Sequence, residues 1–250
     1  AVLLKDDAYK DARAKMTERL IDRAEKKLHI TRGDLMSFQE KGSIRVEMVG
    51  VEPTPEKLAR YSVINIGFWE RLETGELTRD EVLVGRFEAF FKELGLTLSG
   101  AEANARYEGL LHEGHWFMPG AMELLETLDG RHRLFLVSNG VASVQYSRMK
   151  SAGIERFFEK IFISEAVGFD KPSRAFFDAC FAAIPNFDRH QAVIVGDSLT
   201  SDIRGGINAG IATCWYNPAG LPARPDILPD FTIRALSELP AILESILNRK

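Results

Sequence analysis

The chain has 250 residues, enough for one domain carrying a large insertion or for two modest domains, with a sizeable core either way. Thirty-two basic against thirty-six acidic residues leave a net charge of −4, which argues against a protein built to coat a nucleic-acid polymer or an anionic membrane. Apolar residues make up 45% and charged residues 27%, which excludes global disorder, and no uncharged stretch approaches the roughly 18 apolar residues of a membrane span.

The first ten residues, AVLLKDDAYK, are too short and too soon charged for a signal peptide, and they lack a Met, so a natural start elsewhere is expected. Residues 9–28 place Ala12, Met16, Leu20, Ile21, Ala24 and Leu28 on one stripe of a 3.6-residue period, which predicts an amphipathic helix. The stretch 29–52 is ambiguous, since SIRVEMVGV reads as a short strand or an irregular loop. Thr54-Pro55 marks a helix start with Pro at its first position. Thr78-Arg-Asp-Glu81 is a capping box opening a helix over 78–94, with apolar face Val82, Leu83, Phe87, Phe90, Phe91 and Leu94 and a stop at Gly95. Ser99-Gly-Ala-Glu102 is a second box.

From 119 the pattern alternates. Pro119 is expected to begin a helix ending at Gly130, followed by the apolar run RLFLVSNG (133–140), a helix at 141–151, KIFIS (160–164) and a helix at 173–184. QAVIVGD (191–197), a helix at 201–209 stopped by Gly210, and IATCWY (211–216) complete the series. Uninterrupted apolar strands between helices predict a parallel sheet covered on both faces, hence an α/β, doubly wound core with a helical domain inserted after the first strand. The expected division is a core remnant at 1–8, a helical cap at 9–115 and the catalytic core at 116–250. Cys180 and Cys214, each in an apolar context, read as reduced buried thiols of a cytoplasmic protein.

Ligands of such sheets bind beyond the carboxyl ends of the strands. The polar residues there are Ser138-Asn139-Gly140, Lys171 after Ser164-Glu165, and Gly196-Asp197-Ser198 with Asp202. Taken singly, Ser138 suits a helix cap, Lys171 a solvated loop, and Asp202 a first-turn acid favoured by the helix dipole. Asp197, a carboxylate closing a buried strand, needs a partner, and a divalent cation is the natural one. Together they suggest phosphate chemistry: hydroxyl and N–H groups at a helix N-terminus for phosphate oxygens, a lysine for their charge, and two acids five residues apart for one Mg²⁺.

These motifs, LVSNG, DKPSRAFF and VIVGDSLTSD, in this order and spacing, resemble the haloacid dehalogenase-like phosphatases over 119–216. The helical run NIGFWERLETGELTRDEVLVGRFEAFFKELGL (65–96) is similar to the cap of noncanonical pyrimidine nucleotidases. The resemblance implies a Mg²⁺-dependent phosphomonoester hydrolase acting on small-molecule phosphate esters, as a monomer or homodimer. Lys171 and Ser138 would be catalytic, Ser138, Asn139, Gly140 and Lys171 would bind phosphate, and Asp197 and Asp202 would hold the metal. A 2-haloacid dehalogenase is the runner-up, disfavoured because that branch uses no Mg²⁺ and has little need of two acids in GDSLTSD.

The family's first motif, D-x-D-x-[TV], does not occur in the chain. Its first Asp would be the nucleophile and its second the general acid and base. Either Val2-Leu3-Leu4 follows a motif lying upstream, or Lys5-Asp6-Asp7 is a degenerate motif of a ligand-binding pseudoenzyme, or the fold is used otherwise. His112 and His115 lack one residue of the H-E-x-x-H spacing and suit a hinge near Gly114 better than a zinc site. Tyr61, Phe68 and Trp69 are candidates to stack on a nucleobase, with core packing expected for at least two of them.

Overall fold

Thr78 makes the predicted box: its Oγ1 accepts from the Glu81 N–H at 3.4 Å, and Glu81 Oε2 accepts from the Thr78 N–H at 2.7 Å. The computed structural model describes residues 55–113 and 117–247. The expectations for 9–28, 29–52, Asp6-Asp7, Gly114 and His115 lie outside the described residues. The chain divides into two compact units, Lys5–Trp116 and a second made of Ala1–Leu4 with Phe117–Lys250.

The described part of the first unit is three helices, α1 (Pro55–Glu73), α2 (Arg79–Glu93) and α3 (Gly100–Glu113). Gly95, at φ +69°, ends the α2 segment as expected. Ser99 Oγ accepts from the Glu102 N–H at 3.2 Å at the start of α3. Tyr61, Ile64, Phe87, Phe90, Phe91 and Ala103 form the core, with Phe68 packed against them, so the aromatic stripe is mostly interior. Tyr61 is 2% exposed, its ring 5.3 Å from that of Phe87. Arg86 is buried on the same helix, a residue the apolar pattern omitted. Its guanidinium lies over Phe87 and Tyr107 and donates to Asn65 Oδ1 and Asn104 Oδ1, both at 3.0 Å, so neutral acceptors and ring faces replace its water.

The second unit alternates as predicted: α4 (Ala121–Leu128), β1 (Phe135–Ser138), α5 (Ala142–Ala152), β2 (Lys160–Ile163), the single turn α6 (Ser164–Val167) and α7 (Arg174–Ala182). Then come β3 (Val193–Gly196), a π-turn (Leu199–Ile203), α8 (Arg204–Ala209), β4 (Ala212–Tyr216), β5 (Phe231–Ile233) and α9 (Leu239–Leu247). Two helix starts differ from expectation by two residues. Pro119 does not begin α4, because Gly120 takes the left-handed conformation at φ +77° and only Ala121 enters the helix. The helix expected at 201–209 starts earlier, as the π-turn at Leu199, because Ser198 caps that turn by accepting from the Ser201 N–H.

All described strand pairs are parallel, in two sheets, β1-β2 and β3-β4-β5. Alternate strand residues serve opposite faces: Val193 and Val195 pack with α4 and α9, while Ile194 packs with Phe176, Phe177 and Cys180 of α7. That double cover is why the strands read as unbroken apolar runs. Among the described residues β1 pairs only with β2, and β3 only with β4 on its one side. An apolar cavity of about 480 Å³ is lined by Phe135 and Val137 from β1, by Val193 and Val195 from β3, and by Leu125 and Phe177 from the helices on either face.

Candidate active site

The register pairs Ser138 with Ile163 and Gly196 with Trp215, so the strands release their polar residues at the carboxyl end of each sheet. Ser138 is buried, and its Oγ accepts from the Gly140 N–H at 3.0 Å, leaving its O–H to donate. It caps a tight turn, not the helix: the N-cap of α5 is Val141, which offers no side-chain bond. The first N–H of α5, on Ala142, donates instead to Glu165 Oε2 at 2.6 Å.

Lys171 is not the solvated loop lysine that its sequence position alone allows; it is 3% exposed. Its Nζ donates to Asp202 Oδ1 at 2.6 Å and to the Val137 carbonyl at 3.4 Å. Its backbone is held by Asn139, whose Oδ1 accepts from the Lys171 N–H at 2.9 Å while its Nδ2 donates to the Lys171 carbonyl at 2.8 Å. Asn139 Nδ2 also approaches Ser201 Oγ at 3.4 Å. The carboxamide of Asn139 is therefore engaged in placing Lys171. The Lys171–Pro172 peptide is cis.

Asp202 is 2% exposed on the π-turn, and its second oxygen accepts from the Ser198 N–H at 3.2 Å. Burial pushes its carboxyl up, but the Lys171 ammonium and the two hydrogen bonds outweigh burial and hold it below its ordinary value. The close approach requires Gly196: a Cβ there would lie 2.2 Å from Asp202 Cβ. Asp197 is half-buried at the end of β3, and its carbonyl accepts from the Trp215 indole N–H at 3.0 Å.

Sequence reasoning named Ser138, Asn139, Gly140, Lys171, Asp197 and Asp202; the fold joins Asn139, Lys171 and Asp202 in one hydrogen-bonded set, while Ser138 bonds to Gly140 beside it. It placed Ser198 at the strand end without a role and missed Ser201: Ser201 donates its N–H to Ser198 Oγ at 3.1 Å, and the Ser198 N–H meets Asp202. Both sit in the GDSLTS run, where serines three apart are a cap signal that was there to be read. Trp215 reaches the site from the neighbouring strand, which no local pattern encodes.

Among the described residues no three His, Cys, Asp or Glu side chains gather as a metal cage. The donor chemistry present is hard oxygen from Asp197 and Asp202, which suits Mg²⁺, an ion commonly held by one or two carboxylates plus water and substrate phosphate. Both oxygens of Asp202 are bonded, one to Lys171 and one to the Ser198 N–H.

Residues 85–216 match the model of the haloacid dehalogenase-like hydrolases, across the whole constellation described above. The chain belongs to that family. This hydrolase is 40% identical over 213 residues to the HAD-hydrolase YfnB of Bacillus subtilis, covering 84% of the chain and 91% of that relative. The pyrimidine 5′-nucleotidase YjjG of Escherichia coli is 33% identical over 76% of the chain and 84% of its own length. The pyrimidine 5′-nucleotidase PynA of Streptococcus pneumoniae is 31% identical over 76% and 81% respectively. The crystal structure of YfnB, described as bound to magnesium, superimposes with a TM-score of 0.73 at 43% identity, over 77% of this chain and 85% of that one.

Proposed function

We propose that this hydrolase is a Mg²⁺-dependent phosphomonoesterase acting on nucleoside 5′-monophosphates, pyrimidine ones foremost, as a cytoplasmic monomer or homodimer. The observation that carries the reading is a buried ammonium, Lys171, locked by Asn139 and Asp202 beside the Ser138 turn at the strand ends. The nucleotidases YjjG and PynA among its relatives support the substrate class.

In this reading Ser138 donates its hydroxyl to a phosphoryl oxygen, and the Asn139 and Gly140 backbone sets the turn that receives the group. Lys171 neutralises the charge that gathers as the phosphoryl group transfers, in a site where burial makes that charge count for more than it would in water. Asp202 keeps Lys171 protonated and aimed. Asp197 would hold Mg²⁺, with Asp202 supporting it through water; the bound ion would supply charge stabilisation for the transferring group.

The nucleophilic aspartate expected from the family resemblance is assigned to a strand outside the described residues, occupying the cavity between β1 and β3. The apolar lining on both faces and the two strand edges beside it support that placement, and such a strand would end at the level of Ser138 and Gly196. Attack by that aspartate on phosphorus and later hydrolysis of the aspartyl-phosphate divide one difficult step into two easier ones. Substrate choice is assigned to the helical unit.

The test is a phosphatase screen with Mg²⁺ against nucleoside monophosphates, hexose phosphates and phosphoglycolate, on protein that includes the nucleophile strand. Highest kcat/KM on pyrimidine nucleotides is expected. A tenfold preference for phosphoglycolate or a hexose phosphate over every nucleotide would reject the nucleotidase assignment, and ligand binding without turnover of any ester would reject the enzyme.

A further inference from the structure

We infer that Trp215 is a positioning residue for Asp197, setting the direction of that carboxylate through the peptide that follows it. The inference rests on the reading of Asp197 as the metal-binding acid and deepens it.

The β3-β4 register ends at Gly196↔Trp215, one residue short of Asp197. Just past that last rung, the Trp215 indole N–H reaches the Asp197 carbonyl at 3.0 Å, doing with a side chain what the ladder does with backbone. The same peptide unit ends in the Ser198 N–H, which donates to Asp202 Oδ2 at 3.2 Å, and Asp202 Oδ1 accepts from Lys171 at 2.6 Å. One peptide plane is therefore held at both ends, its C=O by Trp215 and its N–H by Asp202. Hydrogen bonds in series polarise one another, so the indole strengthens the N–H that meets Asp202.

The indole itself has no freedom to wander. Trp215 is 4% exposed and packs with Ile203, Ile227 and Leu199, two of which flank Asp202 on the π-turn. The ring thus braces the turn that carries Asp202 while its N–H braces the peptide that carries Asp197. With that peptide plane fixed, the directions open to the Cα–Cβ bond of Asp197 narrow, and with them the positions its carboxylate can reach. Groups of this kind, which touch a ligand residue but not the ion, are worth about 10–100-fold in metal affinity elsewhere.

The experiment is calorimetric titration with Mg²⁺ and with Mn²⁺ of protein that includes the nucleophile strand, for the parent, Asp197→Asn and Trp215→Phe. Trp215→Phe keeps an apolar ring and removes the N–H. The expected result is loss of ion binding in Asp197→Asn and affinity about tenfold weaker in Trp215→Phe. Where Trp215→Phe fails to fold by circular dichroism, the benzothienyl analogue of tryptophan at 215, which replaces the N–H by sulfur in the same bicyclic shape, takes its place with the same expectation. Parent-like affinity in a folded protein lacking the N–H overturns the inference and leaves the Asp197 assignment standing. Ion binding absent in the parent, or unchanged in Asp197→Asn, overturns the Asp197 assignment itself and this inference with it.

Discussion

Replacing Lys171 by Met removes one half of an ion pair whose side chains are 3% and 4% exposed and 2.6 Å apart. In water such a pair would count for little, but here neither group can be resolvated without opening the core. Removing one partner of a buried pair costs about 3–5 kcal/mol, because the survivor is left as an uncompensated buried charge. At about 2–4 °C of Tm per kcal/mol for a protein of this size, the loss corresponds to roughly 6–20 °C. Asp202→Asn should cost a similar amount by stranding the ammonium, whereas the double variant Lys171→Met/Asp202→Asn should recover at least half of either loss, since both charges then leave together. Urea unfolding at pH 7 for the four proteins closes the cycle. A single-variant loss below about 1 kcal/mol, the value of an exposed pair, would refute the claim that the pair is desolvated. The pH dependence has a definite sign: the Asp202 carboxyl is depressed in the folded state, so its contribution is complete above the unfolded carboxylate range and is lost as pH falls through the lower folded value. Asp202→Asn should therefore flatten the acid limb of Tm against pH below about 4.

Asp197→Asn, in protein that includes the nucleophile strand, should reduce Mg²⁺-dependent turnover at least about a hundredfold; unchanged turnover would remove Asp197 from the site. Residues 1–250 alone should not hydrolyse p-nitrophenyl phosphate, whereas the same chain extended by an apolar strand ending in Asp-x-Asp should gain both turnover and Tm. Robust activity without the extension would mean that a residue of the present chain is the nucleophile. Gly196→Ala should disturb the site more than its one methyl suggests, because that Cβ would sit 2.2 Å from Asp202 Cβ, and phosphate binding followed by ³¹P NMR should weaken. Cys180 and Cys214 have thiols pushed up to about 12, Cys180 by burial and Cys214 by burial and the Glu238 carboxylate, so neither should react with iodoacetamide at pH 8 until the protein is unfolded.

Local physics was legible in the sequence wherever one short segment contained both halves of an interaction. Thr78 and Glu81 are three residues apart and form their box, and the unbroken apolar runs became parallel strands because helices cover both faces. The carboxyl ends of those runs located Ser138, Lys171, Asp197 and Asp202, since chain order alone places them after strands. The same local logic failed at Gly120, whose left-handed φ delays α4, and at β5, whose three residues are too short to carry a periodic signal.

The sequence by itself determined the α/β class, the helices ahead of the alternating segment, and the order of the polar residues at the strand ends. All of these are written as residue types at fixed spacing. Only the tertiary structure decided what each polar group does. Asn139 grips the Lys171 peptide across 32 residues, Lys171 is buried against Asp202 across 31, and Trp215 holds the Asp197 carbonyl from the neighbouring strand across 18. Burial and pairing at such separations depend on how strands and helices pack, and a hydrogen bond between side chains far apart in sequence leaves no period for a sequence to show.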